Sequence, residues 1–380
     1  MPLAASFFTR FPWHNKHMSD PAPSPAANRP DTPQTPASQG FFLPAEWSGH
    51  ERTLLGWPSR VSAYGNAKRL EAARLAHAAV ARAIAPYEKV TVLATPNDAV
   101  RAQRALGPGI ELQAVALDDC WLRDTGPTWL VDGKGGRAGV AWRFNAWGEK
   151  FHPYDQDAKL AGRLLARRGE SAFAAPCVLE GGAFGGDGAG TVLTTRSCVL
   201  NANRNPGMDR AGFETLAADW LGARRVVWLE GGMKADADTD GHVDTVACFV
   251  RPGLVLAQIC ADRGHRDHAV LAENRRLLRA ATDAEGRRLE VVELPGPADR
   301  SADGRLLPLS YVNFAFAGAP GRRGAIVLPV FDDPADANAI ATLAALFPER
   351  DVVPVPALDI FAGGGGIHCI TQPIPAPQQI

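Results

Sequence analysis

Near its C-terminus the chain reads Gly363-Gly364-Gly365-Gly366-Ile367-His368-Cys369-Ile370-Thr371-Gln372. Four successive glycines permit positive φ angles and close approach of the backbone to another group. One cysteine follows in a short β-branched run. That order predicts a thiol held at the rim of a pocket by a strand. A buried cysteine beside a flexible turn would give the same pattern, because free cysteine usually packs as a small hydrophobe. A second stretch with chemical potential is Asp236-Ala237-Asp238-Thr239-Asp240-Gly241-His242-Val243-Asp244. Read as the entry to a strand, it places His242 and Asp244 on one face. Histidine is the natural proton shuttle near neutral pH. A carboxylate two residues on would hold a cationic group beside it. Alternating aspartates also suit a calcium-type loop, but the closing glutamate and flanking helices of an EF-hand are missing.

One thiol, one imidazole and acids from at least three loops (Asp124, Glu180, Asp244) point to Cys–His nucleophilic catalysis. The surplus of acid speaks to the substrate. A thiol protease needs an oxyanion hole and at most one acid or amide behind its histidine. A ring of acids matches a planar, permanently charged guanidinium, whose donors form a fork complementary to carboxylates. The stretch Leu117-Asp118-Asp119-Cys120-Trp121-Leu122-Arg123-Asp124 adds three carboxylates, an arginine and a tryptophan within seven positions.

These loops need a scaffold, and 380 residues suffice for a large core. A hydrophobic content of 46% and a charged content of 21% are ordinary for a soluble globular protein. The net charge of −1 gives no reason to expect nucleic acid as a partner. No apolar run is long enough to cross a bilayer, so no membrane association is expected. Cys120, Cys177, Cys198, Cys248, Cys260 and Cys369 are scattered without a CxxC pair. That spacing argues against a zinc site and against a disulfide framework. It predicts reduced thiols in a reducing, cytoplasmic compartment.

Residues 1–40 hold Pro21, Pro23, Pro25, Pro30, Pro33 and Pro36 among small polar residues, and are predicted to be a disordered extension. The rest, 41–380, is predicted to be one domain. An alanine-rich helix spans 67–85 and stops at Pro86, and a strand covers 89–93. Strands are expected at 128–131 and 138–144, with a helix around 156–168. Then a repeat appears. Leu179-Glu180-Gly181-Gly182 recurs as Leu229-Glu230-Gly231-Gly232. Each copy follows an apolar strand and precedes a Gly/Asp-rich loop. Each runs on into a hairpin, 191–195 with 198–201 and 243–250 with 254–259, then a helix at 209–221 or 268–280. A repeated strand–loop–hairpin–helix unit suggests a radial α/β array with loops converging on an axis. A doubly wound sheet competes. It expects a glycine turn opening a helix, whereas Gly363–Gly366 is read as opening a strand.

Taken together, the motifs resemble the agmatine deiminases, within the guanidine-modifying superfamily that includes bacterial-type peptidylarginine deiminases. The matching stretches run through residues 41–375. They are Pro44-Ala45-Glu46-Trp47 with His50-Glu51-Arg52-Thr53, Trp121 to Pro127, Phe144-Asn145-Ala146-Trp147-Gly148, Leu179 to Gly182, Asn203-Arg204-Asn205-Pro206, Asp238 to Asp244, Ser310-Tyr311-Val312-Asn313-Phe314 and Gly363 to Gln372. The resemblance implies a pseudo-fivefold α/β propeller with the active site on its central axis. It implies Cys369 as nucleophile, His242 as acid/base, Asp124 and Asp244 as guanidinium clamps, and Glu180 as the acid orienting His242. Trp121, Gly365 and Gly366 would contact substrate. Asp238 is the candidate for the far amine of agmatine, with a solvated turn aspartate as the alternative. Gly366 and Asp240 stand where the family usually has asparagine. His368 is read as structural.

The implied reaction is agmatine plus water to N-carbamoylputrescine and ammonia, through a covalent amidino-cysteine, with no metal and no organic cofactor. A bound guanidinium would favour the Cys369 thiolate. A charge pair at ~4 Å contributes roughly 4 kcal/mol at an effective dielectric of about 20, so two clamping carboxylates matter. The alternatives are a deiminase for peptidyl-arginine or another guanidino compound, and a degenerate propeller that binds a guanidine without turning it over. By analogy with the family, the chain would form a homodimer.

Overall fold

The computed structural model describes residues 34–377, so the predicted extension lies, through residue 33, outside the described residues. A single 3-10 turn, Ala37–Gln39, precedes the first strand. Among the described residues, five sheets follow one plan. In four of them a strand pairs antiparallel with the next, which pairs parallel with a third. These are Thr128–Val131, Arg137–Arg143 and Ser171–Val178; Phe184–Gly186, Thr191–Thr195 and Arg225–Leu229; Ala247–Arg251, Leu254–Ile259 and Glu290–Pro295; and Ala315–Ala317, Gly324–Val330 and Arg350–Pro356. The fifth is built from both ends of the chain. Thr371–Pro375 lies antiparallel to His50–Gly56, which pairs parallel with Lys89–Ala94, and that strand with Glu111–Ala114.

Each parallel step requires a crossover, and each crossover carries a helix: Ala67–Ile84, Ala99–Leu106, Leu160–Arg168, Arg210–Leu221, His268–Ala280 and Asp336–Leu346. Local chemistry sets their ends. Asn66 and Asp209 cap two of them by accepting the N–H of Arg69 at 3.0 Å and of Gly212 at 2.8 Å. Gly169, at φ +65°, ends the helix Leu160–Arg168 in the left-handed conformation that a Cβ would disfavour.

One expected pairing is wrong. The partner of Thr191–Thr195 is not 198–201 but Phe184–Gly186, and Arg196–Val199 is a helical turn. Gly181-Gly182 and Gly185-Gly186 had disguised a short strand as a loop. The hairpin between Ala247–Arg251 and Leu254–Ile259 is present.

His77 lies buried on the helix Ala67–Ile84, with Nδ1 2.8 Å from the Ala73 carbonyl and Nε2 without a partner. Burial lowers its pKa to about 4, against the Ala73 hydrogen bond that raises it. The unfolded chain therefore takes up a proton below about pH 6.5 that the folded chain refuses until about pH 4. The stabilisation is complete above that window and is lost as pH falls through it, by up to about 3 kcal/mol. Native protein is expected to lose Tm more steeply than His77→Leu across this range. Parallel melting profiles would refute the assignment.

Candidate active site

The loops between successive sheets supply the predicted residues, and they meet at a cavity of about 400 Å³. Its wall includes Cys369, His242, Asp244, Asp124, Trp121 and Asp238, with Gly363, Gly364 and Gly365. Glu180 lies behind, fully buried. Gly366 is not on the wall: a Cβ there would meet Asn313 Oδ1 at 2.3 Å and Phe361 at 2.4 Å. The absence of a side chain at Gly366 lets the loop that carries Cys369 sit on Asn313.

Two expectations about local structure are corrected. Cys369 is not on a strand. It sits in the helical turn Ile367–Ile370, and the strand starts at Thr371. The β-branched run is overridden by long-range capture: His368 N–H lies 3.0 Å from Asn313 Oδ1 and 3.1 Å from the Asn313 carbonyl. The four glycines thus open a helical turn. Likewise His242 does not enter a strand but precedes the 3-10 turn Val243–Thr245, and the strand begins at Ala247. Thr245 closes that turn by donating to the His242 carbonyl at 3.0 Å. The Asp236 carboxylate accepts the His242 N–H at 3.0 Å. The two side chains still share the cavity, because a tight turn rather than strand alternation aims them.

Cys369 is 8% exposed. Sγ lies 3.5 Å from Asp244 Oδ2 and 3.3 Å from Asn313 Nδ2. Burial, then Asp244 and Asp124, push its pKa well above the ordinary thiol range, against opposing hydrogen bonds from Gly366 and Asn313. Asp244 Oδ2 also accepts from His368 Nδ1 at 2.8 Å, while Oδ1 is buried without a partner. Burial opposes ionisation of Asp244, but His368, His242 and Arg123 bring its pKa below the usual carboxylate value. His368 therefore has a definite task, which strand alternation had hidden. It bridges Asp244 to Glu46, whose Oε2 lies 2.9 Å from Nε2, and Glu46 also accepts from Arg123 at 3.1 Å.

Asp124 is held differently. Oδ1 accepts from Gly182 N–H at 2.8 Å and Oδ2 from Trp147 Nε1 at 2.9 Å. Burial raises its pKa, and although His242 and Trp147 pull it down, Asp244 and Glu180 add to the rise. His242 stands between acids, with Nδ1 3.8 Å from Asp124 Oδ2 and Nε2 3.6 Å from Glu180 Oε2. Burial works to lower its pKa, but Asp124, Cys198 and Glu180 together push it well above the ordinary histidine value. Glu180 is fixed by Arg204, whose Nε donates to Oε1 at 2.8 Å. The supporting residues Glu46, Trp147, Arg204 and Asn313 all lie within motifs already quoted. Their burial and pairing across the fold had no local signal.

Donor atoms of Glu180, Cys198 and His242 lie within 4.8 Å of one another, close enough for a metal ion. Arg204 already pairs with Glu180 there, so a metal ion would have to sit beside a fixed guanidinium. Among the described residues no helix is long and apolar enough to cross a membrane.

The sequence pattern of the Porphyromonas-type peptidyl-arginine deiminases matches residues 42–375. This chain belongs to that family. A Streptomyces avermitilis relative is 46% identical over 347 residues, covering 90% of this chain and 99% of its own. The agmatine deiminase of Pseudomonas aeruginosa is 40% identical over 369 residues, covering 91% of this chain and 98% of its own. The solved structure of the Enterococcus faecalis agmatine deiminase superposes with a TM-score of 0.85 at 31% identity, covering 91% of this chain and 98% of that one. The mixed α/β fold and the family agree with the motifs quoted above.

Proposed function

We propose that this protein hydrolyses agmatine to N-carbamoylputrescine and ammonia, with Cys369 as nucleophile and His242 as acid/base. One observation carries the reading. A buried thiol shares its cavity with two buried carboxyl groups, and Asp244 Oδ1 has no partner. A buried acid with an open acceptor costs free energy unless a cation fills it. A guanidinium does so with a fork of N–H donors. Its charge also counteracts the acids that keep Cys369 protonated, so the thiolate forms when substrate is present.

The steps then balance. The sulfur attacks the central guanidinium carbon as its proton passes to solvent, where it later joins the released ammonia as ammonium. His242, cationic between Asp124 and Glu180, delivers a proton to the departing nitrogen, and ammonia is released. A cationic amidino-cysteine remains. Neutral His242 next takes a proton from water, which adds to the same carbon. The C–S bond breaks, giving the ureido product and regenerating the thiol. Glu180 and its Arg204 partner hold the imidazole. Trp121 forms an apolar wall beside the guanidinium plane.

We propose further that the domain expected from residue 41 onward forms one pseudo-fivefold propeller. In support, five sheets share an antiparallel-then-parallel strand order, one of them with a further parallel strand, and the site residues come from the connections between them. Ammonia release from agmatine, free arginine and a peptidyl-arginine ester, measured in parallel, tests the assignment. Agmatine is expected to be the fastest by at least about tenfold in kcat/KM. Preference for the ester, or no release from any of the three, would overturn it.

A further inference from the structure

A two-strand hairpin, Ser301–Ala302 with Arg305–Leu306, contributes to the wall of the cavity. Asp303 and Gly304 form its turn at φ +51° and +75°, the left-handed pair that a two-residue type I′ turn requires. Arg305 leaves this turn in a fixed direction. Its Nη1 donates to Asp238 Oδ2 at 2.8 Å, and its Nη2 to the Ala362 carbonyl at 2.5 Å. Asp238 is itself held, because Lys150 Nζ donates to the carbonyls of Ala237 at 2.8 Å and Asp238 at 3.0 Å. The acid expected to read the far end of the substrate therefore already has a cationic partner from another loop.

The glycine loop measures how far this pair stands from the thiol. A Cβ built on Gly364 would lie 3.0 Å from Asp238 Oδ2 and 3.4 Å from Arg305 Nη1. One built on Gly365 would lie 3.2 Å from Cys369 Sγ. Successive Cα atoms are about 3.8 Å apart, so the ion pair stands no farther than on the order of 10 Å from the sulfur, within the reach of a guanidine carrying a four-carbon amine.

We infer that Arg305 is a specificity-determining residue for the tail of the substrate: it competes with a terminal ammonium for Asp238. This rests on the agmatine reading above. The side chains of Arg305 and Asp238 are 41% and 34% exposed, and ion pairs this accessible are weak, so an ammonium can replace the guanidinium at small cost. Arg305 still sets a penalty on any second cation. An uncharged tail pays none and gains nothing from Asp238.

The test compares agmatine with butylguanidine, which has the same reach but no terminal amine, in wild type, R305Q, D238N and the double variant. R305Q is expected to lower KM for agmatine roughly three- to tenfold, with kcat little changed. D238N should raise that KM. In the D238N background the gain from R305Q should vanish, and butylguanidine should register neither effect. An agmatine KM that stays constant or rises in R305Q overturns the inference, as does a gain that survives D238N. Wild-type protein that releases ammonia from neither guanidine overturns the reaction itself, and the tail assignment with it.

Discussion

Cys369→Ala is expected to bring ammonia release from agmatine down to background, a loss of roughly 10⁴-fold or more, while agmatine still binds. The expectation follows from what the thiol touches. Sγ is within 3.5 Å of Asp244 and 3.3 Å of Asn313, and neither depends on sulfur for its place. Asp244 keeps its 2.8 Å hydrogen bond from His368, and Asp124 keeps Gly182 and Trp147. The acids that would clamp a guanidinium thus remain in position when the nucleophile is gone. Agmatine at 100 times its Kd should still stabilise the variant by about 2.7 kcal/mol, read as a raised Tm. The partly buried Cys260, which does not line the cavity, is the control: Cys260→Ala should turn over normally. If Cys369→Ala keeps more than a tenth of wild-type turnover, the nucleophile lies elsewhere. If it loses both turnover and the thermal shift, Cys369 is a packing residue.

The repeat was legible because each copy pairs a strand exit with the same four residues, Leu-Glu-Gly-Gly, before a new hairpin. What escaped were the places where distant contacts overrule local preference. Ile367, Ile370 and Thr371 favour a strand, yet Asn313, more than fifty residues upstream, accepts the His368 N–H and winds 367–370 into a helical turn. Val243 and Val246 read as strand, yet Asp236 and Thr245 fold His242 to Thr245 into a 3-10 turn. Both differences concern segments that bring Cys369 and His242 to the cavity wall. Such segments are shaped by polar contacts between loops, and period-2 or period-3.6 patterns carry no information about those. The same limit hid Glu46, which lies more than three hundred residues from His368 in the chain and 2.9 Å from it in space. It also hid the pairing of Arg305 with Asp238, since an arginine after an Asp-Gly turn reads only as a solvated hairpin.

The site residues divide by how they are held, and the division bears on the order of events. Asp124 has both oxygens occupied by neutral donors, whereas Asp244 keeps one oxygen open. A guanidinium therefore finds a free acceptor beside the thiol at Asp244 and must share the acceptors of Asp124. The stronger new contact forms next to sulfur, where its charge is needed to stabilise the thiolate.

His242→Asn is expected to separate the two halves of the reaction. In wild type the imidazole is drawn toward its cationic form by Asp124 at 3.8 Å and Glu180 at 3.6 Å, which suits it to protonate the departing nitrogen. Once ammonia has left with that proton, the cationic amidino group shares the cavity and keeps the imidazole neutral. Neutral imidazole can then accept a proton from water. Asparagine fills similar space and keeps a donor near Asp124, but it can neither give nor take a proton. Steady-state kcat should fall roughly 10²- to 10⁴-fold, the range expected for loss of a general acid–base group. The intact protein mixed with agmatine should gain the mass of agmatine less ammonia, formed slowly and persisting for longer than in wild type. The pH profile offers a second readout. Wild-type kcat should fall on the acid side, because the water step needs neutral His242. The Asn variant should lack that limb. Adduct that forms and decays at wild-type rates, or an unchanged acid limb, would remove His242 from proton transfer and leave it a buried partner of Glu180.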